Sequence, residues 1–148
     1  MPAPTFMERA LNEARAAAQV GEVPIGCVIV CDGEVIAQAG NRTLADRDPT
    51  AHAEMVAIRH AAAALASERL TGCDLYVTLE PCAMCAAAIS FARLDRLYFG
   101  AYDPKGGGVE HGPRIFDQPT CHHKPELYPG LGEGEAGELL RAFFKARR

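Results

Sequence analysis

Two short stretches, Thr50-Ala51-His52-Ala53-Glu54 and Glu80-Pro81-Cys82-Ala83-Met84-Cys85, place the strongest condition on the fold of this chain. If they act together, a histidine and a pair of cysteines thirty residues further on must be brought to one point. Each stretch lies where a helix is expected to begin, so the fold has to aim two helix N-termini at the same place. The positive ends of those helices favour anions there, thiolates included.

One imidazole and two thiolates are ligand types that Zn²⁺ prefers in a tetrahedral shell. A structural zinc site normally closes with four protein ligands, whereas a catalytic site keeps one position open. His52, Cys82 and Cys85 make three, which favours a catalytic site holding one zinc per chain. On a single helix, residues two apart diverge by about 200°. Glu54 is therefore expected to handle protons rather than to share the metal with His52. Taken alone, His-x-Glu is a weak signal, and Cys-x-x-Cys also fits a redox pair, a structural knuckle or chance. The combination, with Pro81 ahead of the first cysteine and both stretches at expected helix starts, carries the zinc reading.

Local signals order the rest of the chain. Thr5 and Glu8 form a capping box, and Phe6, Met7, Ala10, Leu11, Ala14, Ala17 and Ala18 recur at helical spacing, predicting an amphipathic helix over about 5–19 that Gly21 ends. Ile25 to Val30 reads as a buried strand, Asp32-Gly33 as a two-residue hairpin turn, and Glu34 to Ala39 as the returning strand. Asp48-Pro49 predicts an N-cap followed by proline at the first helical position, opening a helix that ends near Ala66 and holds His52 and Glu54 in its first turn or two. Leu75 to Leu79 is a strand by composition, and Pro81 is expected to open the helix that carries Cys82 and Cys85. Arg96 to Gly100 is another strand. An irregular stretch from Tyr102 to Thr120 follows, and its Gly106-Gly107-Gly108 lacks the Gly-Lys-Ser/Thr ending of a phosphate loop. In the final stretch Ala136, Leu139, Leu140, Phe143 and Phe144 fall on one helical face, with Arg141, Lys145, Arg147 and Arg148 as cations. The alternation predicts an α/β fold of three layers, α/β/α, with a mixed central sheet.

Composition narrows the class. The chain has 148 residues, 49% hydrophobic and 23% charged, which fits one domain over 1–148 with a full core. No long apolar run supports a signal peptide or a membrane span, so the expected location is the cytoplasm. Six cysteines in such a chain do not indicate a disulfide scaffold, and Cys27, Cys31, Cys73 and Cys121 are expected to be free thiols. The formal net charge of -4 excludes a protein that coats nucleic acid by bulk electrostatics, so any RNA contact has to be local.

The paired motifs resemble the signature of zinc-dependent nucleobase deaminases. Within that group the chain is most similar to the bacterial tRNA-specific adenosine deaminases. The resembling segments are Glu22-Val23-Pro24-Ile25-Gly26, Gly40-Asn41-Arg42, Asp48 to Glu54, Leu75 to Cys85, and Gly100-Ala101-Tyr102-Asp103-Pro104-Lys105, in the family's order over most of the chain. The resemblance implies a cytidine deaminase-like fold and hydrolytic deamination of adenosine to inosine at the wobble position of tRNA. Glu54 would take a proton from water and deliver protons to the ring nitrogen and the leaving amine. It also implies an anticodon stem-loop as partner, a homodimer, and substrate contacts at Asn41, Asp103 and Phe144. From chemistry alone Asn41 is the residue of a left-handed turn. A dimer would use the small-residue stretch Ala83 to Ala92, with Ile89 and Phe91 as larger contacts. A His-containing loop in the family faces RNA where Cys121-His122-His123 stands, although that cluster also offers a fourth metal ligand.

Two other readings compete. The same chemistry on a free base or nucleoside, of guanine or cytosine type, suits the acidic charge better. A zinc-stabilised interaction module without catalysis leaves the three-ligand set and Glu54 unexplained.

Overall fold

The computed structural model describes residues 4–147. Its first helix, α1 (Phe6–Gln19), begins at the expected capping box: Thr5 accepts from the Glu8 amide, and Glu8 reaches back to the Thr5 amide. Gly21 follows with φ of 84°, a backbone state that favours glycine. Strands β1 (Gly26–Cys31) and β2 (Glu34–Gly40) pair antiparallel. Asp32 and Gly33 between them both take positive φ, as a type I′ hairpin turn requires.

The chain continues through α2 (Ala53–Leu65), β3 (Cys73–Leu79), α3 (Ala83–Ala92), β4 (Arg96–Ala101), a short 3₁₀ turn (Ile115–Asp117), β5 (Glu126–Pro129) and α4 (Glu133–Ala146). The sheet order is β2-β1-β3-β4-β5. β1 runs antiparallel to its neighbours, and β3, β4 and β5 are parallel, so the sheet is mixed as expected. β5 was not expected. It is a four-residue edge strand ending in a proline, too short to show alternation, and parallel pairing with β4 defines it.

Alternate side chains sort the core into two layers. Cys27 and Ile29 of β1, Leu75 and Val77 of β3, and Leu97 and Phe99 of β4 pack with Ala53, Val56 and Ala57 of α2 and with Ala86 and Ile89 of α3. Their neighbours Val28, Val30, Tyr76 and Tyr98 face the other way, toward Met7, Ala10 and Leu11 of α1 and Ala136 of α4. Two helices on each face give the expected three layers. α1 lies so close to β1 that a Cβ on Gly26 would stand 1.9 Å from the Ala10 carbonyl oxygen.

Two expected helix starts move. α2 begins at Ala53 and not at Asp48-Pro49, because the Asp48 carboxylate is taken up by the Thr50 amide and hydroxyl at 2.8 and 2.7 Å. That side-chain turn replaces an N-cap. α3 begins at Ala83, and Pro81 precedes it with its carbonyl accepting from the Gly108 amide. The apolar face expected on α4 also divides. Ala136 and Phe143 are buried, whereas Phe144, turned about 100° from its neighbour, is 48% exposed. Arg147 lies over the Phe143 ring with its guanidinium 3.6 Å from the centroid, so it is not a free cation. Arg148 lies outside the described residues.

Candidate metal and catalytic site

β2 and β3 run parallel to β4, and the three strands deliver Asn41, Glu80-Pro81-Cys82 and Tyr102-Asp103 to one end of the sheet. This is the end at which open α/β sheets bind ligands. His52 and Cys82 are the N-cap residues of α2 and α3, both with extended backbone, and neither side chain caps its helix. Serine or aspartate there would spend its oxygen on the first-turn amides. Histidine and cysteine leave their ring nitrogen and sulfur free to point at each other.

His52 Nδ1 lies 3.6 Å from Cys82 Sγ and 3.6 Å from Cys85 Sγ. All three donor atoms fall within 4.8 Å of one another. With Zn–S near 2.3 Å and Zn–N of about 2.0–2.1 Å, a tetrahedral shell separates nitrogen from sulfur by about 3.6 Å. The donor set therefore fits zinc in type and in spacing. Among the described residues these three form the one such group, and Cys121-His122-His123 is not part of it. His123 Nε2 instead meets the Leu94 carbonyl, and Cys121 contacts Ser90. All six cysteines are free.

The acid–base state of the site follows from burial and the two thiols. The Cys85 thiol, by hydrogen bonding, draws the Cys82 pKa down to about 4 against the opposing effect of burial, and His52 adds to the fall. Cys85 moves up, because its proton is shared with Cys82 and because it is buried beside Glu54. The Cys82 hydrogen bond raises His52, and burial opposes it. Glu54 is 4% exposed, in the first turn of α2. Burial lifts its pKa to about 7, partly offset by a backbone hydrogen bond and by His52. His52 thus stands outside the helix that carries Glu54, so the angular argument from one shared helix does not apply. Glu54 is still no member of the donor group.

Residues 2–101 match the cytidine and deoxycytidylate deaminase zinc-binding region. A tRNA-specific adenosine deaminase of Agrobacterium fabrum is 64% identical over 143 residues, covering 97% of this chain and 94% of the relative. One from Aquifex aeolicus is 48% identical over 145 residues, with 97% and 94% covered. A solved structure from work on A-to-I editing by tRNA:A34 deaminases at the wobble position of transfer RNA superposes with a TM-score of 0.90 at 65% identity, covering 91% of this chain and 98% of that one. This chain belongs to the tRNA-specific adenosine deaminase family.

The three residues expected to contact substrate do not share one hollow in this deaminase. Asp103 and Phe144 line a groove together with Val23, Leu79, Tyr102 and Lys105. Asn41 borders a separate hollow beside α1 and α2, with Arg42 and His60. Asn41 takes no left-handed turn. Its amide nitrogen is held by Glu22 and Thr43 at 3.5 and 3.3 Å, while its Oδ1 has no hydrogen-bond partner among the described residues. Glu22 also accepts from the Leu44 and Ala45 amides. Glu22 and Glu80, both 2% exposed, organise the loops around the site, and sequence reasoning assigned neither a role. The available signal was a lone carboxylate beside an apolar strand.

Proposed function

We propose that this protein deaminates adenosine to inosine at the wobble position of a tRNA anticodon loop. The observation that carries the proposal is the meeting of His52, Cys82 and Cys85 beside a buried Glu54, in a chain 64% identical to a tRNA-specific adenosine deaminase. His52, Cys82 and Cys85 hold one zinc per chain. Zinc, when bound, lowers the pKa of water to about 7 and so supplies a nucleophile near neutral pH. Glu54 takes the proton of the attacking water and returns protons to the ring nitrogen and to the amine that leaves as ammonia. Burial raises the Glu54 carboxyl above the usual carboxylate range, the direction that suits it to returning a proton as well as taking one. Asn41 offers its free Oδ1 to the base, while Asp103 and Phe144 hold the nucleotide at the groove they line. An unpaired loop spares much of the cost of extracting a base from a duplex.

Residues 1–148 act as one deaminase domain, and two copies associate as a homodimer. Ile89 does not serve that contact as expected, since it is buried in the core of its own chain. Phe91 does, standing 74% exposed at the end of α3. Six cysteines outside any disulfide and a tRNA substrate suit the cytoplasm. Among the described residues, no helix is long and apolar enough to cross a membrane.

The competing reading, a free base as substrate, is favoured by the net charge of -4 and has less support from the relatives. Incubating the purified protein with a tRNA carrying adenosine at the wobble position, beside a panel of free bases, separates the two. Inosine in the tRNA is the expected product. Faster turnover of a free base than of any tRNA would reverse the assignment.

A further inference from the structure

The Glu80 side chain is wholly enclosed, with no exposed surface, yet no lysine or arginine pairs with it among the described residues. Its charge is met by one segment of chain. Oε1 accepts from the Asp103 amide at 3.0 Å and meets His111 Nδ1 at 2.8 Å. Oε2 accepts from the amides of Val109, Glu110 and His111 at 3.2, 2.9 and 3.1 Å. The glycine run, which is no phosphate loop, is what lets this segment close on the carboxylate. A Cβ on Gly107 would stand 2.5 Å from Glu80 Oε2, and one on Gly108 would stand 2.6 Å from the Ala83 nitrogen. The Gly108 amide also donates to the Pro81 carbonyl at 2.8 Å.

The segment is therefore gathered around one buried anion and pressed onto the start of α3. Asp103 leads it, with its own carboxylate turned back to the amides of Lys105 and Gly106. The direction of that carboxylate follows from where the Asp103 backbone is anchored: Glu80 Oε1 holds its amide, and its carbonyl accepts from the Gly107 amide at 2.8 Å within the same segment.

We propose that Glu80 is a positioning residue whose buried carboxylate holds the 103–111 segment, and Asp103 with it, at the substrate groove; this rests on the reading that Asp103 meets the tRNA. The position needs a group that only accepts. A glutamine must turn its NH₂ toward one of the two donor sets. With its oxygen left to the three amides of Val109, Glu110 and His111, its NH₂ faces the Asp103 N–H, donor against donor. His111 Nδ1 is able to accept that NH₂ in its other tautomer, so the loss falls on Asp103.

The test uses the zinc-loaded full chain as Glu80→Gln and, separately, Gly107→Ala, which leaves Glu80 in place and sets a methyl 2.5 Å from both Glu80 Oε2 and the Asp103 carbonyl oxygen, so that the segment must move off the carboxylate. Zinc content, melting temperature, amide hydrogen exchange across 102–112, and kcat and KM for an anticodon stem-loop are measured. Zinc is expected to stay at about one per chain, and exchange in 102–112 to quicken about tenfold or more, the effect of a lost charge-assisted hydrogen bond. KM is expected to rise about tenfold with kcat changed less than about threefold, the signature of lost binding interactions. Unchanged exchange in 102–112, or a fall in kcat with KM unmoved, overturns the proposal. If Glu80→Gln fails to fold, the same outcomes are read from Gly107→Ala. If the parent protein does not deaminate tRNA, the functional reading falls, and hydrogen exchange alone still decides whether Glu80 holds the segment.

Discussion

His52 Nδ1 stands at equal distance, 3.6 Å, from the sulfurs of Cys82 and Cys85, across thirty and thirty-three residues of chain. Neither helix start could be used this way alone. α2 supplies the nitrogen from its N-cap, and α3 supplies one sulfur from its N-cap and the other from its first turn. Two helix dipoles and two thiols meet where the parallel strands end.

Glu54→Ala is expected to retain about one zinc per chain and to lose deamination by a factor of about 10² to 10⁴, the usual contribution of a positioned acid–base group. Cys82→Ala or Cys85→Ala is expected to lose both. Metal analysis beside an inosine assay checks this, and loss of zinc in Glu54→Ala would show that Glu54 binds metal.

Chelation exposes an asymmetry between the two thiols. With a pKa of about 4, Cys82 is thiolate at pH 6, and it gives up that form only as pH falls through the same value. An ordinary cysteine at pH 6 is only about 0.3% thiolate. In the chelated protein, iodoacetamide at pH 6 is expected to modify Cys82 ahead of the other five cysteines, although a low-pKa thiolate is intrinsically a weaker nucleophile. Zinc should protect it. Peptide mapping reads the order, and equal labelling of Cys82 and Cys85 would contradict it.

Gly26→Ala tests the contact between α1 and β1. The added methyl meets helix backbone and no flexible side-chain end. Overpacking of this kind is expected to cost about 3 kcal/mol. A fall in the urea midpoint measures it, and a midpoint within error of the parent would mean that α1 shifts freely on the sheet.

Charge at the end of α4 divides unequally. Arg147 is stacked on Phe143 and Arg141 pairs with Glu138, whereas Lys145 lies beside Phe144 and Leu140. Lys145→Gln is expected to weaken tRNA binding and to reduce the slope of log affinity against log salt by roughly 0.7 to 0.9, with the melting temperature unchanged. Arg147→Ala is expected to lower the melting temperature as well. An unaltered salt slope in Lys145→Gln would leave this helix end as solvated surface.

Phe91→Glu addresses assembly. If two copies pair through this exposed ring, a charge there is expected to leave monomer at micromolar concentration without loss of zinc. Light scattering decides it, and a parent protein that is already monomeric would end the dimer reading.

Where local chemistry suffices, the sequence alone is legible. The Thr5/Glu8 box, the Asp32-Gly33 turn and the strand segments of β1, β3 and β4 each rest on composition or on neighbours within a few residues, and each appears as expected. The donor types at His52, Cys82 and Cys85 are equally a property of the sequence. Tertiary structure decided the rest. It settled where α2 begins, because Asp48 had two local uses and the packed chain kept the turn with Thr50. It made a strand of Glu126–Pro129, which exists only because β4 presents an edge. It separated Phe143 from Phe144, one into the core and one into the groove, since only the docked helix has an inside and an outside. And it enclosed Glu80, whose five hydrogen bonds come from four residues 23 to 31 positions away, beyond the reach of any pattern of neighbours.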